Sequence, residues 1–242
     1  MKWEDEGLLL SARIYGENNA IIECLTNNHG RHTGMVRQAF SGKLNNLLEP
    51  GMQLKLVWTA RLNDHLGVFS IDKVKSRTAA LIQNKQKLLG FNSLISLLIQ
   101  TLPEREPFEK LYKATIDLVD NMETNDSWMS NYVRWELLLL SELGFGLDLS
   151  RCAVTGANQD LIYVSPKSGR AVSSTAGNEW RKKLLYLPSF LKTSPSSVET
   201  DLKCIHVGMT LTGYFLEKWL MDSIGRHSLP GSRDRFFTSL TG

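Results

Sequence analysis

Five short runs of alternating apolar and polar residues fill the first 78 positions, and they restrict the fold more than any other feature of the chain. Clusters of Gly, Asn, Asp and Pro separate the runs, and these residues favour turns over strands. The runs span residues 8–15, 20–26, 31–36, 52–60 and 68–74. In the fourth run Leu54, Leu56 and Trp58 fall on one face, as a barrel with a filled interior requires.

The first run has the same two-residue period. It predicts one face with Leu8, Leu10, Ala12 and Ile14 and an opposite face with Leu9, Ser11, Arg13 and Tyr15. Five strands followed by a long helical tract are typical of an OB-type barrel, a common platform for single-stranded nucleic acid. The sequence therefore predicts a protein that binds a polymer and performs no bond chemistry.

The period changes after residue 78, where leucines recur at helical spacing through residue 146, with Gly90 as a potential break. Pro107 suits the first turn of a second helix, and Asp126 suits the N-cap of a third. Residues 196–199 resemble a capping box for a long helix that ends near Gly225, and residues 226–242 are predicted to form a polar, loosely held tail. We expect a barrel domain at 1–78, a helical domain formed by 79–146 and 193–242, and an irregular, β-containing insertion at 147–192.

Composition narrows the class of protein. The 242 residues carry a net charge of +3, which is too mild to indicate nucleic-acid binding by itself. Three widely separated cysteines, Cys24, Cys152 and Cys204, favour reduced thiols in a cytosolic protein over a disulfide framework. The first residues lack the pattern of a secretory signal, and no apolar stretch is long enough to span a bilayer. We therefore expect a cytoplasmic protein with no membrane partner.

Several stretches form an ordered set that is more specific than any single motif. They are ARIYGE at 12–17, TNNHGRHTGMVRQAFSGK at 26–43, LEPG at 48–51, WTARLNDHLGVF at 58–69, RWE at 134–136 and LDLSRCAVTGANQDLIYVSPKSGRAVS at 147–173. In this order they resemble the RecO family of bacterial recombination mediators over essentially the full length. The last stretch is close to the version found in α-proteobacterial members.

The resemblance implies an α+β multidomain protein with an N-terminal OB-fold barrel, a central α-helical bundle and a zinc-finger-like insertion. It also implies binding to single- and double-stranded DNA and annealing of single strands in the nucleoid. The implied protein partners are RecR, the C-terminal tail of single-strand-binding protein and, indirectly, RecA, which the family helps to load onto DNA.

The third module departs from the family pattern, because many relatives hold it with a four-cysteine zinc site. Here Cys152 begins the first knuckle, but Thr155 stands three positions later and residues 172–175 contain no cysteine. Structural zinc needs four soft or imidazole ligands, and Cys204 and His206 fall on the predicted long helix. We therefore predict a degenerate insertion without zinc or another cofactor, held by hydrogen-bonded turns and packing. A small buried thiol is the favoured role for Cys152.

DNA binding requires cations, and their release of counterions from phosphates makes affinity depend on salt. Residues 13–77 contain nine Lys and Arg against five Asp and Glu, an excess that is equally consistent with an ordinary solvated surface. The resemblance favours Arg31, Arg37 and Lys43 as a group beside the barrel groove. The full set of predicted DNA-binding residues is Arg13, Arg31, His32, Arg37, Lys43, Arg61, Lys75, Arg77, Lys167 and Arg170.

A second basic cluster falls in the insertion, where six Lys and Arg in residues 165–192 are opposed only by Glu179. This cluster would extend the DNA path, receive an acidic protein tail, or form a merely solvated charged helix at 179–183. Tyr15, Phe40 and Phe69 are candidate platforms for base stacking, although core packing is the commoner fate of such rings. Trp58 is predicted to lie inside the barrel.

An acidic tail that ends in an aromatic residue needs an apolar pocket rimmed by cations. The predicted partner-binding residues are Lys110, Lys113, Arg134 and Arg151. No convincing catalytic arrangement is found, since the adjacent Asp64 and His65 diverge in a predicted turn and no phosphate-binding glycine loop has its lysine. The leading hypothesis is a non-enzymatic recombination mediator. An OB-fold interaction scaffold with little direct DNA binding is the alternative, and a hydrolase is a remote third.

Overall fold

The computed structural model describes residues 1–40, 47–77, 81–125, 127–192 and 201–240. The chain forms two compact units, Met1–Thr124 and Asn125–Gly242, called unit 1 and unit 2 below. The sequence predicted three parts, whereas the structure divides into two units at Thr124. The three-part organisation stays a prediction. None of the described helices is long and apolar enough to cross a membrane.

Unit 1 begins with a five-stranded barrel. Its strands are β1 (Lys2–Tyr15), β2 (Asn19–Thr26), β3 (Gly30–Val36), β4 (Gln53–Thr59) and β5 (Val68–Lys75). They are hydrogen-bonded in the order β1-β2-β3-β5-β4, and β4 pairs again with β1, so that the sheet closes on itself. The first half of β1 pairs with β4 and the second half with β2, because the strand is 14 residues long. The short ladder between β3 and β5 is parallel.

Strand β1 differs from its prediction in two ways. It begins at Lys2, because the acidic residues that hide the strand pattern pair with β4, where Asp5 lies opposite Leu56. A register shift between Leu9 and Ser11 also reverses the alternation of faces. Leu9 and Ala12 therefore both pack on the barrel interior. Ile14, near the end of the strand, is 73% exposed. The predicted shared face of Leu8, Leu10, Ala12 and Ile14 is wrong for this reason.

The barrel interior is filled by apolar side chains from all five strands. Leu54, Leu56 and Trp58 of β4 point into this core together with Phe69 and Ile71 of β5. The alternation predicted for β4 and the interior position of Trp58 are confirmed. Because each strand places every second side chain inside, the remaining side chains are left for the outer face.

Two helices complete unit 1. Helix α1 (Lys85–Thr101) begins at Asn84, whose side chain accepts hydrogen bonds from the backbone N–H groups of Gln86 and Lys87, and it continues through Gly90 without a break. Helix α2 (Glu109–Thr124) begins two residues after Pro107, which was predicted to lie in its first turn. The connection between them runs beside β3, where the Arg105 N–H donates to the Arg31 carbonyl at 2.8 Å. It thereby covers the part of β3 that has no ladder with β5.

Unit 2 contains helices and a small sheet. The helices are α3 (Trp128–Glu142), α4 (Ser174–Gly177), α5 (Leu202–Phe215), which continues in a π-helical turn at Leu216–Met221, and α6 (Gly231–Thr238). Strands β6 (Leu161–Val164), β7 (Ala171–Ser173) and β8 (Leu185–Tyr186) form a sheet in the order β7-β6-β8. The predicted caps at Asp126 and at 196–199 lie outside the described residues, and Asp201 caps α5 by accepting from the Cys204 N–H at 2.7 Å.

A buried ion pair anchors the C-terminal helix of unit 2. The Arg233 guanidinium donates from Nε and Nη2 to the two Glu136 carboxylate oxygens at 2.6 and 3.0 Å, and Thr212 donates to the same carboxylate. Burial would lower the pKa of Arg233, but the facing carboxylate raises it above its usual value. Phe236 is also fully buried and stacks on Trp128. The prediction of a loosely held tail is therefore wrong for residues 231–238.

Candidate nucleic-acid interface

Three of the predicted DNA-binding arginines are exposed on the barrel. Arg13 on β1 lies opposite Ile21 of β2, which lies opposite Met35 of β3. Arg37 follows β3, and its neighbours Gln38 and Ala39 hydrogen-bond to the β1–β2 turn at Asn19 and Asn18. Arg61 opens the loop from β4 to β5. Arg13 and Arg37 thus lie near the β1–β2 turn, and Arg61 lies in the β4–β5 loop. OB-type barrels bind oligonucleotides on strands 2 and 3 and through these two loops.

Arg31 is held by other groups of unit 1. Its guanidinium forms an ion pair with Glu23, lies 3.8 Å from the Glu104 carboxylate, and donates from Nε to the Leu102 carbonyl at 2.9 Å. Its side chain is only 14% exposed. Arg31 therefore attaches the α1–α2 connection to β3. Of the predicted group of Arg31, Arg37 and Lys43, Arg31 is committed in this way, Arg37 is exposed, and Lys43 lies outside the described residues.

His32 and Arg77 are buried, which leaves neither side chain exposed to a phosphate in this structure. His32 is 4% exposed, and burial, with help from the nearby Arg105 and His29, lowers its pKa to about 4. A histidine that is neutral at physiological pH cannot neutralise a phosphate. Arg77 is 1% exposed and donates to Asp120 at 2.6 Å and to Gln53 at 2.8 Å. A buried guanidinium needs such partners because an unpaired charge inside a protein is costly.

Lys75 shares the carboxylate partner of Arg77. Its ammonium lies 2.5 Å from Asp120 and 3.5 Å from Glu123, both on α2. Burial would raise the pKa of Asp120, but hydrogen bonds from Arg77 and Lys75 outweigh that effect and lower it. The cations at the end of β5 therefore join the barrel to α2 inside unit 1.

The predicted cations of unit 2 differ in whether other groups of the protein hold them. Lys167 is exposed in the β6–β7 turn, whereas Arg170 lies 3.5 Å from Asp148. Arg134 donates to the Phe190 carbonyl at 2.9 Å and lies over the Phe190 ring. Arg151 is exposed and lines a cleft of about 640 Å³ with Lys192, Leu161 and Ile162.

The other two predicted partner-binding residues lie on α2 in unit 1. Lys110 is exposed, and Lys113 lies 2.5 Å from Glu109.

Hydrogen bonds surround Cys152, where the resemblance implied the start of a metal knuckle. The backbone N–H groups of Ser173 and Thr155 donate to Cys152 Sγ at 3.3 and 3.5 Å. Burial of the thiol raises its pKa, but hydrogen bonds from Ser173 and Thr155 outweigh that effect and lower it to about 6. No group of three or more His, Cys, Asp or Glu side chains among the described residues is arranged to hold a metal ion. The zinc-finger-like character expected of the insertion finds no support here.

Sequence reasoning missed a cleft of about 530 Å³ at one end of the barrel, called the aromatic cleft below. Its rings are Trp3, His29, His32 and Trp58, and its polar rim consists of Asn28, Asn63, Asp64 and Arg105. Trp3 stacks on His29 with ring centroids 4.0 Å apart and an interplanar angle of 8°. These residues come together only when the barrel closes. The sequence signal that could have indicated the cleft is the occurrence of His29 and His32 three positions apart in the β2–β3 hairpin.

Arg105 shapes the rim of the aromatic cleft. It has a left-handed backbone, with φ of 64°, and its guanidinium donates to the carbonyls of Asn63, Asp64 and His65. A non-glycine residue in this conformation is uncommon and marks a functional or strained position. Arg105 therefore fixes the β4–β5 loop over the barrel end.

The predicted stacking platforms are not equivalent. Tyr15 is 53% exposed, Phe40 is half-buried and Phe69 is 2% exposed within the barrel core. Tyr15 lies at the end of β1, next to the β1–β2 turn. It is thus the ring among these three that a base could reach.

Two family models match the chain. The one described as Recombination protein O N terminal covers residues 1–82, and the one described as Recombination protein O C terminal covers residues 83–223. A protein of Cereibacter sphaeroides named DNA repair protein RecO is 45% identical over 241 residues, which cover 99% of each chain. Proteins of the same name from Ruegeria sp. strain TM1040 and Rhodopseudomonas palustris strain HaA2 are both 43% identical, over 99% of this chain and 98% and 96% of theirs.

Proposed function

This chain belongs to the RecO family, and from that premise we propose that it is a non-enzymatic DNA repair and recombination mediator that binds and anneals single-stranded DNA. The strand order of the barrel and the match of the family model to residues 1–82 support an OB-type fold for this part of the chain. The proposed setting is the cytoplasm and its nucleoid.

The observation that carries the proposal is the exposure of Arg13, Arg37 and Arg61 on the barrel. Among the described residues these arginines have no carboxylate partner, whereas Arg31, Lys75 and Arg77 each have one. Free guanidinium groups can replace the counterions of a flexible polyanion, and the release of those ions favours binding. Two bound strands would also repel each other less, which favours annealing of complementary sequences. Double-stranded DNA would be held by the same electrostatic contacts.

The proposed protein partners are RecR, the acidic tail of single-strand-binding protein and, indirectly, RecA. The cleft beside Arg151 supports a site for such a tail, because Arg151 and Lys192 outnumber the carboxylate of Asp160 in its lining and lie beside the apolar Leu161 and Ile162. Cations attract the acidic residues of the tail, and apolar contacts hold its aromatic end. Lys110 is a second accessible cation for a partner.

A charge-reversal experiment tests DNA binding. The triple variant Arg13→Glu, Arg37→Glu and Arg61→Glu is compared with Lys85→Glu, Lys203→Glu and Arg235→Glu, which changes the net charge equally at exposed helix positions. Affinity for a single-stranded oligonucleotide is measured across a salt titration. Each phosphate contact on a single strand contributes about 0.7 to the slope of log affinity against log salt concentration. If each arginine contacts one phosphate, the slope of the barrel variant is therefore smaller by about 2. Equal slopes in both variants would contradict the proposed interface.

An interaction scaffold with little direct DNA binding is the second candidate, and the commitment of Arg31, Lys75 and Arg77 to carboxylates favours it. The same salt titration separates the two proposals when it is combined with capture of an acidic, aromatic-ended peptide. A scaffold would retain the peptide and bind the oligonucleotide weakly, with no difference between the two triple variants.

A further inference from the structure

The floor of the aromatic cleft contains a polar side chain with no hydrogen-bond partner. Neither Nδ1 nor Nε2 of His32 has a partner among the described residues, although the residue is 4% exposed. Buried polar groups in proteins are nearly always paired, because an unpaired one loses its bonds to water without replacement. A neutral imidazole offers one donor and one acceptor to a ligand that enters the cleft.

The rings around His32 favour a flat, aromatic ligand. Trp58, Trp3 and His29 form a stacked column, with centroid distances of 5.7 Å and 4.0 Å between successive rings. The Asp5 carboxylate lies 2.9 Å from His29 Nδ1, and this contact fixes the plane of the outermost ring. Aromatic side chains held in this way are the usual stacking partners of unpaired bases.

The charges at the rim give an anionic ligand no excess of positive charge. The Arg105 guanidinium is already committed to three carbonyl groups of the β4–β5 loop, and Asp64 adds a carboxylate beside it. An acidic peptide or a phosphate would meet a rim whose two charges cancel, with three hydrogen bonds of the guanidinium already given to the loop. A neutral base with an exocyclic amino group would instead donate to Asp64, while Asn28 and Asn63 offer amides to its edge.

We infer that the aromatic cleft binds one unstacked nucleobase of single-stranded DNA, with the base edge hydrogen-bonded to His32 and an exocyclic amino group facing Asp64. The inference deepens the proposed function, since the ligand is the same polymer. Arg61 lies two residues before Asn63 in the same loop, so that a phosphate on Arg61 would deliver the adjoining base to the cleft.

The test compares three fluorescent oligonucleotides of equal length and charge, made of dC, of dT or of abasic residues. Wild-type protein is expected to bind the dC strand about 5- to 150-fold more tightly than the abasic strand, because stacking a base contributes about 1–3 kcal/mol. The dT strand should lie between them, since thymine lacks the exocyclic amino group. The salt slope should be equal for all three strands, because their phosphates are the same.

Two variants and one control locate the effect. His32→Phe should reduce the preference for base-bearing over abasic strands by roughly 2- to 10-fold, the share of one hydrogen bond, because stacking on Trp3, His29 and Trp58 is retained. It should do so without lowering Tm, since the new ring suits the aromatic surroundings and leaves no polar atom unpaired. Asp64→Asn should reduce only the preference for dC over dT. Asp72→Asn, an exposed β5 residue outside the cleft, should preserve both preferences.

The outcomes separate this inference from the proposed function. Equal affinity of wild-type protein for all three strands, or an unchanged preference in His32→Phe, would overturn the base site and leave DNA binding intact. Failure to bind any strand would overturn both. A third outcome would assign the cleft to a protein partner. It is equal affinity for the dC and abasic strands, combined with displacement of the dC strand by an uncharged peptide that contains aromatic residues.

Discussion

Replacement of His32 by Phe should make the protein less sensitive to acid. In the folded chain the pKa of His32 is lowered from 6.5 to about 4, chiefly by burial and then by Arg105 and His29. Between these two values the unfolded chain binds a proton that the folded chain does not. Stability should therefore fall as the pH drops below 6.5, and the loss should be complete below about pH 4.

The magnitude follows from the difference between the pKa of His32 in the folded and the unfolded chain. A tenfold change in proton affinity corresponds to about 1.4 kcal/mol, so the loss attributable to His32 reaches about 2 kcal/mol at pH 5 and about 3 kcal/mol at pH 4. The Phe variant lacks the titrating ring and should lose none of this amount. At pH 7 and above it should be at least as stable as the wild type, since the unpaired ring nitrogens are gone.

Urea unfolding of wild type and variant at pH 7, 6, 5 and 4 measures this difference. Carboxylates that titrate in the same range affect both proteins equally, so the difference between the two free energies of unfolding isolates His32. The control is His227→Phe, whose ring is 88% exposed and should leave the pH profile unchanged. A difference between wild type and the Phe variant that stays constant from pH 7 to pH 4 would refute a buried, neutral His32.

Two further predictions concern the stability of the units. Arg233→Met should lower the free energy of unfolding by about 3–5 kcal/mol, because it leaves the Glu136 carboxylate buried with one hydrogen bond from Thr212, and Glu136→Leu in the same chain should restore most of the loss. Equal losses in single and double variants would contradict the pairing. Gly30→Ala should destabilise by clearly more than the roughly 1–2 kcal/mol of a left-handed alanine, because its Cβ would lie 2.0 Å from the Glu106 carbonyl oxygen. Gly16→Ala, at the same φ of 66° with no atom within 4 Å, is the matched control in thermal unfolding and should show only the smaller backbone effect.

The strands and helices were predictable because their signals are local. Alternation, turn residues and the proline before α2 act over a few positions, and the observed β2, β3 and β5 differ from their predicted spans by one residue at an end. The exceptions have tertiary causes. The bulge at Leu10 depends on β1 switching partners between β4 and β2, and the strand at Glu4–Glu6 forms because β4 is there to pair with it.

The candidate site was only partly predictable for the same reason. The sequence shows the same residue type at Arg13, Arg31, Arg37 and Arg77. The residues next to each arginine in the chain do not reveal which carboxylate will pack against it. Glu23 and Asp120 engage two of these arginines and leave Arg13 and Arg37 to solvent.

The chain by itself determined a five-stranded start, a helical remainder and membership in a family, since these depend on residue order and spacing. Barrel closure decided the rest. It gathered Trp3, His29, His32 and Trp58 from three strands and a turn into one cleft, because pairing of distant strands sets positions that no local preference encodes.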